Sequence, residues 1–229
     1  MRIYQSFKEA LPEIKRDLAE MGIKVHPKTY QDKNVERDLN FATLELQNYI
    51  YTVVQPNVAD LEPTQPWADH EWNERRAGIG GCPINPGNAW EDRYDVWKEF
   101  LGEEEKFSYT YSERFAVNQQ VERVIHRLKR DRDSRQIFVS VWDVLDTSNL
   151  GGVSRVPCTL GYLLQCRKDH LNITYLQRSA DFATHLVNDI YLAKLLQNYV
   201  ALETGLESGT YTHWIGSLHI FNKDAREVF

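Results

Sequence analysis

The chain has 229 residues, 42% of them apolar and 26% charged, with 6 Trp, 12 Tyr and 9 Phe. This is enough for one well-packed core, too short for two comfortable domains and too apolar for a disordered chain, so residues 1–229 are expected to form one domain. A net charge of −6 excludes a general nucleic-acid coat, which needs the opposite sign, and leaves small anionic substrates open if basic residues gather locally.

Ser6 and Glu9 have capping-box spacing, and Ala10, Leu11, Ile14, Leu18 and Met21 recur at helical intervals up to Gly22, with Pro12 placed in the first turn. The same stretch is charged throughout, so no signal peptide is expected here, and no uncharged apolar run approaches the ~20 residues of a membrane span. A second helix is expected over Val35–Val54, with Leu39, Ala42, Leu46, Tyr49, Ile50 and Val53 on one face. Residues 55–93 hold five of the eight prolines and a Gly-Ile-Gly-Gly run, and read as an irregular insertion or small subdomain. A short helix is expected around Arg93–Leu101 and a longer one over Val117–Lys129, with Val121, Val124, Ile125 and Leu128 inward.

The second half is rich in strands. Gln136–Trp142 is a β-branched and aromatic run, and Cys158–Cys166 with Leu171–Gln177 reads as an antiparallel pair. A helix over Asn188–Glu203 ends before Gly205, and a last strand covers Tyr211–Phe221. The class is therefore α+β, with a mixed or antiparallel sheet packed with helices. The cysteines Cys82, Cys158 and Cys166 are odd in number and lack CxxC spacing, which predicts no disulfide framework, no metal site and a cytoplasmic location.

Reactive groups concentrate near strand ends. Cys158 follows Pro157 at a strand entrance, where it is either a presented nucleophile or a buried structural thiol; a nucleophile needs a nearby cation to favour thiolate. Gln177-Arg178-Ser179-Ala180-Asp181 closes an apolar strand with four polar residues in five, which suits either a solvated turn or an anion site in which guanidinium grips phosphate. His219 sits in an otherwise apolar strand, as a site residue or a satisfied core histidine. Arg123, Arg127 and Arg130 read as a solvated helix face, whereas Arg135, in Asp-Ser-Arg-Gln before a strand, can be presented by a turn.

In order along the chain, these segments resemble the thymidylate synthase superfamily, whose members carry an Asp-Ser-Arg-Arg turn, a Pro-Cys nucleophile, a QRS-x-D strand end and a Gly-x-x-His-Ile-Tyr strand. Here the corresponding text is DSRQ at 133–136, PC at 157–158, QRSAD at 177–181 and GSLHIF at 216–221. Upstream, Leu44-Glu45-Leu46 resembles the family's His-Glu-Leu helix, and Trp97-Lys-Glu-Phe100, followed by Tyr111, resembles its Trp-Asp-Glu-Trp segment and Tyr. Within the superfamily the chain is most similar to phage-type deoxycytidylate hydroxymethylases, on three counts: Asp189 stands where the synthases have a uracil-pairing Asn, Cys158 is followed by Thr159, and the last motif reads Gly-Ser-Leu-His. A carboxylate suits cytosine, which offers donors once N3 is protonated; Asn suits uracil. The alternative for Asp189 is a helix cap.

The resemblance implies a thymidylate synthase-like fold, paired back to back through its sheets in a homodimer, with no membrane and no direct nucleic-acid partner. It implies transfer of a one-carbon unit from 5,10-methylenetetrahydrofolate, a co-substrate acting without metal, to C5 of a pyrimidine nucleoside monophosphate. With deoxycytidylate and water addition, the product is the 5-hydroxymethyl nucleotide; the alternatives are hydroxymethylation or methylation of deoxyuridylate. Cys158 is implied as nucleophile, Glu45 as the residue ordering water, and Asp189 as reader of the base. Arg178 is implied at phosphate and as the group holding down the thiol pKa. Ser179 and Gln177 line the nucleotide, His219 and Phe221 meet the sugar, and Lys28 and a partner-supplied Arg135 add phosphate contacts. Asp181, Trp97, Phe100 and Tyr111 are implied at the folate. Gln136 and Phe221 depart from the synthase Arg and Tyr, and the short stretch after His219 implies a looser lid that admits water. A non-catalytic nucleotide binder and a Cys-His hydrolase using Cys158 and His219 are the competing classes.

Overall fold

Ser6 opens the first helix: its side chain accepts from the Glu9 N–H at 3.3 Å. The Glu9 carboxylate reaches back to the Gln5 N–H at 2.7 Å, one residue earlier than a capping box requires. The computed structural model describes residues 1–30, 33–149 and 155–229. Strand β1 (Arg2–Tyr4) precedes this helix, α1 (Phe7–Met21), which buries Phe7, Ala10, Ile14 and Leu18; Pro12 lies inside it and not in its first turn. Strand β2 (Ile23–Val25) and the hairpin β3 (Thr29–Tyr30) and β4 (Lys33–Asn34) follow.

The helix expected over Val35–Val54 does not form. In its place are a 3-10 turn, Leu39–Phe41, and strand β5 (Thr43–Val53). Alternation holds only beyond Asn48, where Tyr49, Tyr51 and Val53 are buried; Asn48 itself takes φ 51 in mid-strand. Residues before it border a polar cavity, so the apolar spacing there mimicked a helical face while the aromatic and β-branched run Tyr49–Val54 carried the strand preference.

Segment 55–93 is also more regular than expected. Helix α2 (Trp67–Ile79) starts directly after Pro66, and α3 (Asn88–Glu91) follows. The buried positions of α2 include Arg75, so no clean apolar stripe announces it. At Gly78 a Cβ would sit 1.9 Å from the Ser112 carbonyl oxygen, and only glycine lets α2 approach that close. Next come α4 (Tyr94–Trp97), α5 (Tyr111–Ala116) with a complete Thr110–Glu113 capping box, and α6 (Gln120–Arg130), which buries Val121, Val124, Ile125 and Leu128 as expected. The remaining elements are β6 (Phe138–Ser140), β7 (Thr159–Arg167), β8 (His170–Asp181), α7 (Leu186–Thr204), β9 (Glu207–Phe221) and α8 (Asn222–Val228).

Among the described residues, seven strands form one sheet in the order β1-β5-β9-β8-β7-β6, with β2 also on β5. β1–β5 and β8–β9 are parallel and the other pairs antiparallel. The class is thus α+β with a mixed sheet. Register aligns Tyr51, His213, Tyr175, Tyr162 and Val139 across one face, all buried. One step along, Thr52, Thr212, Thr174, Leu163 and Phe138 line up on the other face, half-buried or exposed.

Candidate active site

The start of β7, the ends of β8 and β9 and the start of β5 meet at one end of the sheet. A cavity of about 620 Å³ opens there, closed on its other sides by α2 and by the aromatic segment from Trp90 to Tyr111. Cys158, Arg178, Ser179, Asp181, Asp189, His219, Phe221, Glu45, Trp97, Phe100 and Tyr111 all line it.

Cys158 lies at the mouth of β7 with its sulfur open to the cavity, 3.8 Å from Nη2 of Arg178. Arg178 is held from behind: its Nε and Nη2 donate to the carbonyls of Pro157 (3.2 Å) and Val156 (3.4 Å), and its N–H donates to the Cys158 carbonyl at 2.7 Å. Enclosure by the cavity walls pushes the thiol pKa up; Arg178 and Arg155 pull it down, while Asp189 and Asp181 add to the rise. The net direction is upward, contrary to the lowered value expected, because burial outweighs the cations.

Asp189 sits within the first turn of α7, whose capping residue is His185. Its Oδ2 accepts from Nε2 of Gln177 at 2.6 Å, so its carboxylate is engaged with β8 and not with the helix start. Burial raises its pKa to about 7, opposed by the Gln177 donor. Gln177 is fully buried behind Asp189, outside the cavity wall where it was expected.

Glu45 borders the cavity from a strand, paired in register with His219, and accepts from Ser217 Oγ at 2.9 Å. The helical placement implied for Leu44–Leu46 is therefore overturned. Helix α2 also brings carboxylates to the cavity, Glu71 and Glu74; Glu74 is tied to the Ala89 N–H at 2.8 Å. Glu71 accepts from Nη2 of buried Arg75 at 2.5 Å; Arg75 lies 4.3 Å over the Tyr111 ring and donates to the Tyr162 hydroxyl at 3.3 Å. Glu71 adds to the upward shift of Asp189 and Arg75 opposes it. His219 is half-buried, with its pKa lowered chiefly by burial.

An aromatic wall occupies the far side. Trp97 stands edge-on to Trp67 at 6.0 Å and to Phe107 at 6.2 Å, and Arg155 lies over Trp97 (5.0 Å) and Phe100 (5.3 Å). A flat guanidinium already rests on these rings, so they present faces that a planar heterocycle can use. Asp181 borders the same space, near Arg93, which itself lies 4.4 Å over Trp67. Tyr30 stands edge-on to Phe221 at 5.5 Å.

Besides Gln177, Lys28 is not brought to the cavity wall: it is exposed, 3.9 Å from Glu36. Arg135, expected to serve a partner's site, is exposed on its turn away from this cavity. The sequence reading missed Glu71, Arg75, Trp67, Arg155, Phe107 and Tyr30. Only the His70-Glu71 pair following Pro66 offered a signal, and it lay in a segment read as irregular. Among the described residues no three His, Cys, Asp or Glu side chains gather to hold a metal ion, and no helix is long and apolar enough to cross a membrane.

A family model described as thymidylate synthase matches residues 84–228. The chain is 29% identical over 163 residues to the thymidylate synthase of Symbiobacterium thermophilum, an alignment covering 71% of this chain and 53% of that protein, so the chain spans about half the length of that relative. Its fold matches thermostable thymidylate synthase A from Bacillus subtilis with a TM-score of 0.73 at 16% identity, over 98% of this chain and 83% of that one. At that identity the likeness is one of fold, and it bears out the thymidylate synthase-like architecture.

Proposed function

The chain belongs to the thymidylate synthase family, and from that premise we propose that it transfers a one-carbon unit from 5,10-methylenetetrahydrofolate to C5 of deoxycytidylate, with water addition giving the 5-hydroxymethyl nucleotide. The observation that carries the choice of base is Asp189, whose carboxylate borders the cavity floor beside Cys158 and takes a donor from Gln177 behind it.

In this reading Cys158 attacks C6 of the pyrimidine as thiolate. The S–C6 bond forms and the C5–C6 π electrons move to C5, making it a carbon nucleophile. The thiol must first lose its proton. Arg178 and Arg155 favour that loss, and Arg178, already fixed by two backbone carbonyls, directs its remaining donors to the phosphate. Ser179 adds a hydroxyl at the nucleotide, and His219 serves the sugar beside Phe221, which lacks the hydroxyl of Tyr. Asp189 accepts from the cytosine amino group, and from N3 once that nitrogen carries a proton as the ring is activated. Glu71, and not Glu45, orders water and moves protons, since it shares the Asp189 side of the cavity.

The aromatic wall and Asp181 fit a pterin: flat faces for the rings and a carboxylate for their N–H donors, with Trp97, Phe100 and Tyr111 among the holding residues. When bound, methylenetetrahydrofolate supplies the one-carbon unit. The half-exposed sheet face through Thr52, Thr212 and Thr174 suits the back-to-back homodimer, with Arg135 reaching a partner's phosphate, in the cytoplasm.

A second reading is methylation of deoxyuridylate, which the name of the relative, thymidylate synthase, favours; hydroxymethylation of deoxyuridylate is a variant of it. Incubation with each pyrimidine monophosphate and methylenetetrahydrofolate decides. A gain of one hydroxymethyl group on deoxycytidylate with tetrahydrofolate as co-product supports the proposal; turnover of deoxyuridylate alone overturns it.

A further inference from the structure

His213 is fully buried in β9 and takes no part in the chemistry above. Its ring lies 4.4 Å from that of Tyr175 at 16° to it, and Tyr175 stacks on Tyr162 at 5.0 Å. This stack across three strands fixes the imidazole plane. Both nitrogens then have a partner: Nδ1 is 3.1 Å from the Tyr51 hydroxyl, and Nε2 is 2.9 Å from Oε1 of Gln177. Gln177 in turn donates to Asp189.

The protons can be assigned by elimination. An ionised carboxylate only accepts, so the Gln177 nitrogen faces Asp189 and its oxygen faces His213. That oxygen only accepts, so His213 carries its proton on Nε2, and Nδ1 takes the Tyr51 O–H. Three hydrogen bonds thus point one way, from the core to Asp189.

We propose that His213 is a positioning residue: through Gln177 it fixes a donor on Asp189 Oδ2 and so keeps Asp189 an acceptor toward the pyrimidine edge. The proposal rests on the reading of Asp189 as the residue that faces the base. The opposite polarity is chemically self-consistent. A protonated Asp189 donates to Oε1, a flipped Gln177 amide donates to Nε2, and Nδ1–H donates to Tyr51. The relay therefore ties the flip of one buried amide to the ionisation of one carboxylate.

The other charged groups acting on Asp189 are Glu71 and Arg75 from α2 and Asp181 from the end of β8. Cys158, Tyr111, Tyr162, Tyr175 and Tyr211 also face it, from the β7 entrance, α5, β7, β8 and β9. Among the described residues the partners around His213 are neutral, Tyr51, Tyr175, Tyr211 and Gln177, and burial keeps it uncharged.

The test uses the whole, ligand-free protein. Nitrogen-15 NMR above the Asp189 titration should show His213 protonated on Nε2 and bare on Nδ1. Carbon-13 titration of the Asp189 carboxyl should move upward by about one pH unit in His213→Leu, which loses the donor to Gln177. His213→Gln, whose amide nitrogen can donate to Gln177, should return most of that shift. The acid limb of kcat/KM for deoxycytidylate should follow the carboxyl midpoint in each variant. An Nδ1–H tautomer, or equal midpoints in the leucine and glutamine variants, overturns the proposal; if the leucine variant does not fold, the tautomer decides alone. Neither NMR measurement needs a nucleotide, so an enzyme that turns over neither pyrimidine would sink the proposed function while leaving the relay to its own test.

Discussion

Arg178 and Cys158 hold each other in place across two strands: the Arg178 N–H donates to the Cys158 carbonyl at 2.7 Å, and its Nη2 stands 3.8 Å from the sulfur. The guanidinium is therefore positioned before any substrate arrives, at the one thiol that opens to the cavity.

Cys158→Ser should abolish turnover and leave nucleotide affinity nearly unchanged. A hydroxyl at this position is a far weaker nucleophile, and its size is close to that of the thiol. Steady-state rates and calorimetric binding check it; residual activity above roughly a hundredth of the parent would exclude covalent catalysis by Cys158.

Arg178→Ala should weaken nucleoside monophosphates much more than nucleosides, by roughly 2–4 kcal/mol, the cost of a lost charge-assisted contact. It should also raise the thiol pKa further, since the largest opposing cation is gone. Equal affinity losses for nucleotide and nucleoside would remove Arg178 from the phosphate.

Asp189→Asn should move base preference from cytosine toward uracil by at least about tenfold, since each mismatched buried polar pair costs about 1–3 kcal/mol. The ratio of kcat/KM for deoxycytidylate and deoxyuridylate reads it directly, and an unchanged ratio would leave Asp189 without a base-reading role.

Glu71→Gln should lower kcat by about 10²–10⁴, the usual range for a lost general acid–base group, whereas Glu45→Gln should stay within about tenfold. Arg75 is buried against Glu71, so some loss of stability is expected as well, and rates belong well below the melting temperature. A larger effect at Glu45 would reverse the assignment.

Stability should depend on pH through His213 and Asp189 in opposite senses. Burial lowers His213 from its ordinary 6.5 to about 3, so the folded state binds fewer protons than the unfolded chain in that window. Its contribution is complete above 6.5 and is lost as pH falls toward 3. Asp189 is raised from 3.8 to about 7, so its cost grows as pH rises between those values. Asp189→Asn should therefore raise Tm more at pH 8 than at pH 4, and His213→Gln should flatten the loss of Tm between pH 6.5 and 4. Parallel curves for variants and parent would contradict both shifts.

Much of the strand system that lines the cavity was legible from the chain alone. Cys158, Arg178, Ser179, Asp181 and His219 stand at strand ends where a turn of polar text interrupts apolar alternation, and such interruptions are local signals. Helix α6 and the pair β7–β8 were equally local, each with one face in the core and one outside. The sequence by itself thus determined the fold class, the family resemblance and most of one wall of the cavity. Tertiary structure alone decided the rest. Strand β5 imitates a helix because its first half borders a polar cavity, and α2 hides because Glu71 and Arg75 point into that cavity where an apolar stripe would otherwise run. Gln177, read as lining the nucleotide, stands behind Asp189 with its oxygen on His213, thirty-six positions away in sequence and 2.9 Å away in space. Side chains that serve a polar pocket obey the geometry of that pocket, and it exists only once strands distant in sequence have come into register.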